Sequence, residues 1–357
     1  MTRLSLSNAL ELGSTVWDGV VARSGSASPF MSWSWHKAWA DSAPEDELEA
    51  SEVLVLCGAG GSVQALLPVR LCRLRFRRMW VRALTWVIGD VCCPDELDLP
   101  ALPDADVSLL AAALNELPWQ VVMLSNLTEG APHVERLSAA LEHHGHTARS
   151  QALYPCPRLT LPASWDGYLA SLSANRRQIL RRKQRVLRKS HTVAVTDYGE
   201  HLLDEGWRSL MNLHQQRWEG AGGGAFVDPR SEQLQRRFAR EMAQRRRLWL
   251  TTLDVDGQPA AAWYGFVSDN TVYFYQGGRD PRWERESVGL VLMALMIQRA
   301  IERGYRYFSF LRGDDVYKQL WTSSRRMTHE TRVFRAGVSG LWPRALDTIA
   351  DLYRGKR

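Results

Sequence analysis

The run Arg-Glu-Ser-Val-Gly-Leu-Val-Leu-Met at 285–293 lies between a stretch that reads as strand and one that reads as helix. Its residue types suit the binding of an anion. Ser287 is placed to cap the helix, which leaves the backbone N–H groups of Val288, Gly289 and Leu290 without intrahelical partners. Gly289 removes the side chain where a bulky ligand would approach. Orphan N–H groups and the helix dipole both favour negative charge, as a pyrophosphate site requires. Read alone, the same residues also describe the capped start of a core helix, with Leu290 to Met293 packing inward.

Two further groupings carry chemistry. In Leu-His-Gln-Gln-Arg-Trp-Glu-Gly (213–220), His214, Arg217 and Trp218 are three and four apart, on one helical face beside the glycine-rich loop 222–224. An imidazole, a guanidinium and an indole on one face are expected to line a substrate groove, although a lone helical histidine more often serves packing. Residues 173–190 are rich in Arg and Lys and hold no carboxylate. With Ile179, Val186 and Leu187 as a narrow apolar stripe, they predict a basic amphipathic helix. Its charged face is open to three uses: plain solvation, lining for an acidic or phosphorylated acceptor, or contact with tRNA or an anionic membrane. The stretch has no aromatic residues for base stacking, which weighs against specific RNA reading.

The elements that must position these groups follow from periodicity and turn signals. Pro29 and Ser32 mark a helix start in 29–43, with Trp35 and Trp39 four apart on one face. Strands are expected at 51–58 and 62–72 around the turn Gly-Ala-Gly-Gly (58–61), and a half-exposed strand at 73–90. A helix from Asp104 or Asp106, a buried strand from Trp119 and a helix ending at Gly145 complete an α/β lobe over 1–153. After a Pro-rich crossing at 154–165, the chain reads helix, basic helix, strand and two helices. A three-strand antiparallel meander (248–278) turns at Asp256-Gly257 and again at 268–270. A helix over 287–304 and a strand over 305–313 come next. The domain expectation is therefore 1–153, 154–345 and a basic tail at 346–357.

Composition bounds the function class. The 357 residues suit two domains of ordinary size, and 45% hydrophobic with 24% charged residues is a globular composition. The net charge of +6 favours an anionic partner, with no DNA expected. Five cysteines (Cys57, Cys72, Cys92, Cys93, Cys156) show no metal spacing, so no metal cofactor is expected and a reducing cytoplasm fits. No run is apolar enough for a membrane span, and the N-terminus lacks the apolar core of a signal peptide.

The order of these pieces carries a resemblance. A meander, a Gly-containing loop, a helix and a further strand resemble the acyl-CoA-binding core of GNAT-fold acyltransferases. More narrowly, "SANRRQILRRKQRVLRK", "LMNLHQQRWEG", "GQPAAAWYGF", "VYFYQGGRDPRW", "SVGLVLM" and "FLRGDDVYKQLW" resemble the CelD/BcsL-like acetyltransferases, a group related to the FemAB peptidyltransferases. The likeness runs from about Pro155 to Trp321, and "PFMSWSW" near the start is also similar.

The resemblance implies a mixed α/β (α+β) chain of two GNAT-like lobes, each a mixed sheet flanked by helices, the first a degenerate copy that shapes the acceptor groove. It implies transfer of an acetyl or longer acyl group from acyl-CoA to an amino or hydroxyl acceptor, in exopolysaccharide or cell-envelope synthesis. The setting would be the cytoplasm or the inner face of the membrane. Carried onto this sequence, the donor's pyrophosphate would meet Val288, Gly289 and Leu290, with Arg285 as charge partner. Tyr317 would protonate the leaving thiolate, Asp315 or its neighbour Asp314 would take the acceptor's proton, Lys318 would contact phosphate or a polarised carbonyl, and His214 is a further catalytic candidate. Arg312, Arg217, Trp218, Arg177 and Arg181 would hold the acceptor. The family's acidic position before "LRG" is Ser309 here, so no catalytic carboxylate is expected there. The related alternatives are a FemAB-type transferase using aminoacyl-tRNA, and a non-catalytic protein that keeps the fold and binds an anion.

Overall fold

The computed structural model describes residues 1–25, 28–218, 226 and 228–354, and the chain divides into two compact units, Met1–Tyr154 with Met327–Arg357, and Pro155–Arg326. The expected loop 222–224 and the side chain of Trp218 lie outside the described residues. Residues 327–357, which the sequence reading divided between the second domain and a tail, cluster with the first unit.

The first unit begins with β1 (Thr2–Ser5), α1 (Leu6–Leu10), α2 (Gly13–Arg23), α3 (Trp33–Ala40), α4 (Glu45–Glu49), β2 (Ser51–Cys57), β3 (Val63–Phe76) and β4 (Met79–Trp86). It continues with α5 (Ser108–Asn115), β5 (Val121–Leu127), α6 (Pro132–His143) and β6 (Thr147–Thr160), the strand that carries the chain onward. The Ser32 hydroxyl accepts from the Trp35 N–H and caps α3, as its position predicts. The expected single strand at 73–90 is instead the tip of a hairpin: β3 and β4 pair antiparallel, with Phe76 opposite Met79. Its two-residue turn is Arg77-Arg78, both left-handed at φ 46° and 73°. Such turns usually hold Asn or Gly, so two arginines within an alternating pattern gave no turn signal.

The second unit comprises α7 (Trp165–Ser171), α8 (Ala174–Ser190), β7 (Val193–Asp197), α9 (Leu203–Trp218) and α10 (Pro229–Gln244). Then follow β8 (Leu248–Val255), β9 (Gln258–Ser268), β10 (Thr271–Arg279), α11 (Val288–Glu302), β11 (Tyr307–Ser309) and α12 (Val316–Gln319). The chain closes with β12 (Arg325–Phe334) and α13 (Val338–Arg354). The meander is as read: Asp256-Gly257 (φ 52° and 78°) and Asp269-Asn270 (φ 41° and 57°) take the paired left-handed conformations of type I′ turns. In α8 the buried side chains are Leu180 and Leu187, two turns apart, while Val186 is 49% exposed. The expected stripe through Val186 is thus displaced to the Leu180–Leu187 line.

Both sheets follow one order. In the first unit β1, β2, β3 and β4 are antiparallel neighbours; α5 leads to β5, parallel to β4, and β12 pairs antiparallel beside β5. In the second, β7, β8, β9 and β10 form the antiparallel set; α11 leads to β11, parallel to β10, and β6 pairs antiparallel beside β11. The fold is therefore mixed α/β, with the same strand plan used twice. In the second unit the apolar face of α11, with Val291, Met296, Ile297 and Ala300, packs into the core that includes Trp263 and Phe308.

Two features open the second sheet. The parallel pairing of β10 with β11 lasts only from Thr271 opposite Tyr307 to Tyr273 opposite Ser309, after which β10 runs on alone beside β9 to Arg279. Its register shifts between Phe274 and Gln276, a bulge that re-aims the strand.

Candidate functional site

The gap left by β11 is the wall of a cavity of about 430 Å³. Buried apolar side chains line it: Trp263 of β9, Phe274 of β10, Leu292 and Met293 of α11, and Trp321. Polar groups reach it from four directions: Arg217 from α9, Arg279 from β10, Glu284 from the loop before α11, and Tyr317 from α12. Gly277, Gly278, Ser287, Gly289 and Leu290 complete the polar side.

Glycine sets the distance between β10 and α9. A Cβ on Gly278 would lie 2.3 Å from the His214 backbone nitrogen and 2.4 Å from the Leu213 carbonyl carbon. Only a residue without a side chain lets the helix pass so close to the strand. That approach sets Arg217, whose guanidinium donates to the Gly277 carbonyl at 3.3 Å. The same guanidinium lies 5.6 Å from the centre of the Tyr317 ring. Burial pushes the Tyr317 phenol up to about 12, an effect that Arg217 partly offsets and the Asp315 charge reinforces. The phenol is thus a held proton across the physiological range, beside a cation that would stabilise the phenolate.

The loop into α11 is built differently from expectation. Asp280 caps the short turn Pro281–Trp283, accepting from the Arg282 N–H at 2.9 Å. Ser287 is left-handed at φ 59°, ψ 46°, and its side chain makes no capping bond to the helix. Its hydroxyl turns back to the Glu284 carbonyl at 3.4 Å, so the expected side-chain cap is replaced by an uncapped first turn. Val288 is buried in the core, whereas Gly289 and Leu290 face the cavity. A Cβ at Gly289 would meet nothing closer than the Arg279 Cδ at 3.6 Å, an ordinary contact, and the residue borders the cavity. Arg285 is exposed and is not part of the cavity lining; its backbone carbonyl accepts from Lys183 Nζ.

The segment after β11 is organised by its own charges and by α8. Lys318 is buried; Nζ donates to the Arg312 carbonyl at 2.5 Å and lies 3.4 Å from an Asp315 carboxylate oxygen. Lys318 and Arg312 thereby close the turn that carries Tyr317, and Asp315 stands half-exposed at its rim. Asp314 accepts from the Gln319 amide at 2.9 Å. Ser309 is buried, its hydroxyl accepting from the Leu311 N–H at 3.3 Å. From α8, Arg176 donates to the carbonyls of Gln319 and Leu320, both at 3.1 Å, satisfying the last turn of α12.

The structure brings together Arg217, Gly289, Leu290 and Tyr317 of the expected set. It places His214, Arg177 and Arg181 apart from them. His214 is buried 4.9 Å from the Phe226 ring, and burial together with Arg217 lowers its pKa to about 4, so the imidazole is neutral. Arg177 donates to the carbonyls of Leu169, Ala170 and Leu172 and closes the end of α7. Arg181 is exposed on the outer side of α8. Sequence reasoning missed Arg279 and Glu284. The Gly-Gly pair inside a strand just before Arg279 was the available signal, because glycines there mark a close approach. No cluster of three or more potential metal ligands occurs among the described residues.

Residues 174–319 match the acetyltransferase (GNAT) domain family, a span that contains every cavity-lining residue except Leu320 and Trp321. No curated protein matches the sequence. Among solved structures, FemX is similar at 9% identity, covering 93% of this chain and 97% of that one, with a TM-score of 0.59. L-PGS from Bacillus licheniformis is similar at 12% identity, over 96% of this chain and 95% of that one, with a TM-score of 0.54. The C-terminal domain of a putative lysylphosphatidylglycerol synthetase from Agrobacterium fabrum is similar at 10% identity, over 98% and 96%, with a TM-score of 0.56. At such identities the likeness is one of fold, and both of this chain's units take part in it. The protein is a transferase with a GNAT-type domain in its second unit.

Proposed function

We propose that the second unit moves an acyl group from acyl-CoA, acetyl-CoA or a longer thioester, to an amino or hydroxyl acceptor, in the manner of the CelD/BcsL-like acetyltransferases its sequence resembles. One observation carries this reading: a single apolar cavity is bordered by the first turn of a long helix, two guanidinium groups and a phenol that holds its proton. The N–H groups of Gly289 and Leu290, with Arg279, suit the donor's phosphates, because both the helix end and the cation favour negative charge. Trp263, Phe274 and Trp321 keep water from the thioester end.

Acyl transfer exchanges the thioester's C–S bond for a C–N or C–O bond; the acceptor loses a proton and the departing sulfur gains one. Tyr317 Oη is the proposed source of the second proton, and the adjacent Arg217 lowers the cost of the phenolate left behind. Asp315, whose charge acts on Tyr317, is the carboxylate proposed to take the first. Lys318 then serves to hold Asp315 and the turn in place. The acceptor class we favour is a sugar or amine of an exopolysaccharide or cell-envelope precursor, and the use of CoA places the reaction in the cytoplasm.

A second reading, an aminoacyl-tRNA donor, draws on the exposed cationic side of α8, with Arg181, Arg182, Arg185 and Arg188. The two readings separate in one assay. Thiol release from acyl-CoA in the presence of amine and sugar acceptors, unaffected by ribonuclease, supports the first. Transfer that requires charged tRNA and disappears with ribonuclease replaces it with the second.

A further inference from the structure

Helix α8 holds two segments that meet only across the cavity. Its residues Arg176, Leu180, Lys183 and Leu187 recur at intervals of four, three and four, so they share one helical face. Leu180 and Leu187 are buried in the core that contains α11. The two cations on the same face end on backbone carbonyls: Arg176 donates to Gln319 and Leu320, both at 3.1 Å, and Lys183 donates to Arg285. Those carbonyls belong to the two sides of the cavity. Tyr317, Leu320 and Trp321 line it from α12 and the residues after it, and Glu284, Ser287 and Gly289 line it from the loop and first turn of α11.

Both attachments are reinforced. The Tyr168 hydroxyl of α7 donates to the Trp321 carbonyl at 2.9 Å, so three successive carbonyls, Gln319 to Trp321, are taken by side chains of α7 and α8. Arg177 joins these two helices through the carbonyls of Leu169, Ala170 and Leu172. On the other side His191, the residue that closes α8, sets its ring edge-on to Trp283, with centroids 4.9 Å apart. Its Nδ1 lies 2.7 Å from an Asp256 carboxylate oxygen, which fixes the imidazole against the loop before α11. Arg176 and Lys183 are two turns apart, about 10 Å along the helix, and that length of α8 spans the two sides of the cavity.

We propose that Arg176 and Lys183 are positioning residues for acyl transfer, with separate roles. Arg176 places the Tyr317 phenol by holding the end of α12, and Lys183 places the Ser287–Leu290 turn by holding the Arg285 carbonyl. The inference rests on the acyl-transfer reading and adds to it the side chains that set the cavity from outside. Neither one lines the cavity, so each acts only through the segment it holds. A general acid works within hydrogen-bond reach, and a displacement of about 1 Å can cost on the order of 10² in rate. Phosphate binding depends instead on the backbone N–H groups of the helix end staying aimed at the donor. Loss of Arg176 therefore lowers kcat, and loss of Lys183 weakens donor binding.

The test combines calorimetric titration of the full chain with free CoA and thiol release from acetyl-CoA or octanoyl-CoA in a pool of amine and sugar acceptors. Lys183→Ala should bind free CoA at least tenfold more weakly and raise KM to match, with kcat within threefold of wild type. Arg176→Ala should bind free CoA within twofold of wild type and lose at least tenfold in kcat. Arg176→Lys and Lys183→Arg, which keep a donor, should each recover at least threefold of the loss. Lys189→Ala removes a charge from the exposed side of the same helix and should leave both measurements unchanged. Melting curves check that every variant is folded; should Arg176→Ala not fold, Arg176→Gln, whose amide can serve one carbonyl, replaces it. Loss of the same parameter in both alanine variants, no loss in one of them, or an equal loss in Lys189→Ala overturns the inference and leaves the acyl-transfer reading standing. A wild type that binds no CoA removes that reading, and the inference with it.

Discussion

The Arg217 guanidinium lies 5.6 Å from the centre of the Tyr317 ring, and both border the cavity that opens where β11 ends beside β10. The phenol, raised to about 12, stays protonated until strongly alkaline pH, and the cation prepares for its loss. Replacing Tyr317 with Phe removes the proton but keeps the ring. The expected outcome is a fall in kcat of about 10²–10⁴ with little change in KM, within the range for a general acid. Steady-state kinetics with a matched acyl-CoA check it; an unchanged kcat would remove Tyr317 from the chemistry.

The same shift has a consequence for stability. Because the folded phenol holds its proton more tightly than an unfolded one, its contribution is complete below the ordinary value of 10.0. It is lost as pH rises from there through about 12. Denaturant titrations of wild type and Tyr317→Phe should therefore diverge least above pH 12.

His214 works in the opposite direction. Burial and Arg217 hold it near 4, below the ordinary 6.5, so its contribution is present above pH 6.5 and is lost as pH falls through 4. His36, fully buried and also lowered to about 4, adds the same dependence in the first unit. Over that window each histidine should withdraw on the order of a few kcal/mol. A His214→Leu variant should flatten the acid limb of a urea-midpoint profile without abolishing activity at neutral pH. A variant that abolishes activity while still folded would return His214 to the chemistry.

Gly278→Ala tests the close passage of α9 over β10. The added Cβ would sit 2.3 Å from the His214 nitrogen, so helix or strand must shift. A loss of about 1–3 kcal/mol is expected for such overpacking, with activity falling further than stability because Arg217 moves with the helix. Thermal melting and kinetics measured together read both effects.

Asp347→Ala would leave the buried Arg332 facing Arg77 without their shared carboxylate. Breaking a buried ion pair costs about 3–5 kcal/mol, and the loss should appear in the first unit's melting while donor binding by the second persists. Calorimetric scans with and without acyl-CoA would separate the two.

How much of this was legible in the sequence depended on distance along the chain. The meander was readable because Asp256-Gly257 and Asp269-Asn270 announce their turns. The hairpin at Arg77-Arg78 was not, because its turn residues were chosen against turn preference. Ser287 looked like a cap, but the loop reaches it in left-handed backbone, which no local pattern records. Tyr317, Arg217 and Gly289 could be named singly, whereas their shared cavity depends on β11 stopping at Ser309 and on two glycines of β10. Arg177 carried the right charge, and three carbonyls at the end of α7 take it up. The return of residues 327–357 to the first unit depends on β12 pairing with β5, some two hundred residues away in sequence.

The central claim is that the first turn of α11 cradles the phosphates of an acyl-CoA. Gly289→Leu probes it directly, because a Cβ fits there, the residue borders the cavity, and leucine suits a helix better than glycine. In calorimetric titration with acetyl-CoA, longer acyl-CoAs and free CoA, the wild type should bind at least one of them. The variant should bind at least tenfold more weakly at an equal or higher melting temperature. No binding by the wild type, or undiminished binding by the variant, would contradict the account.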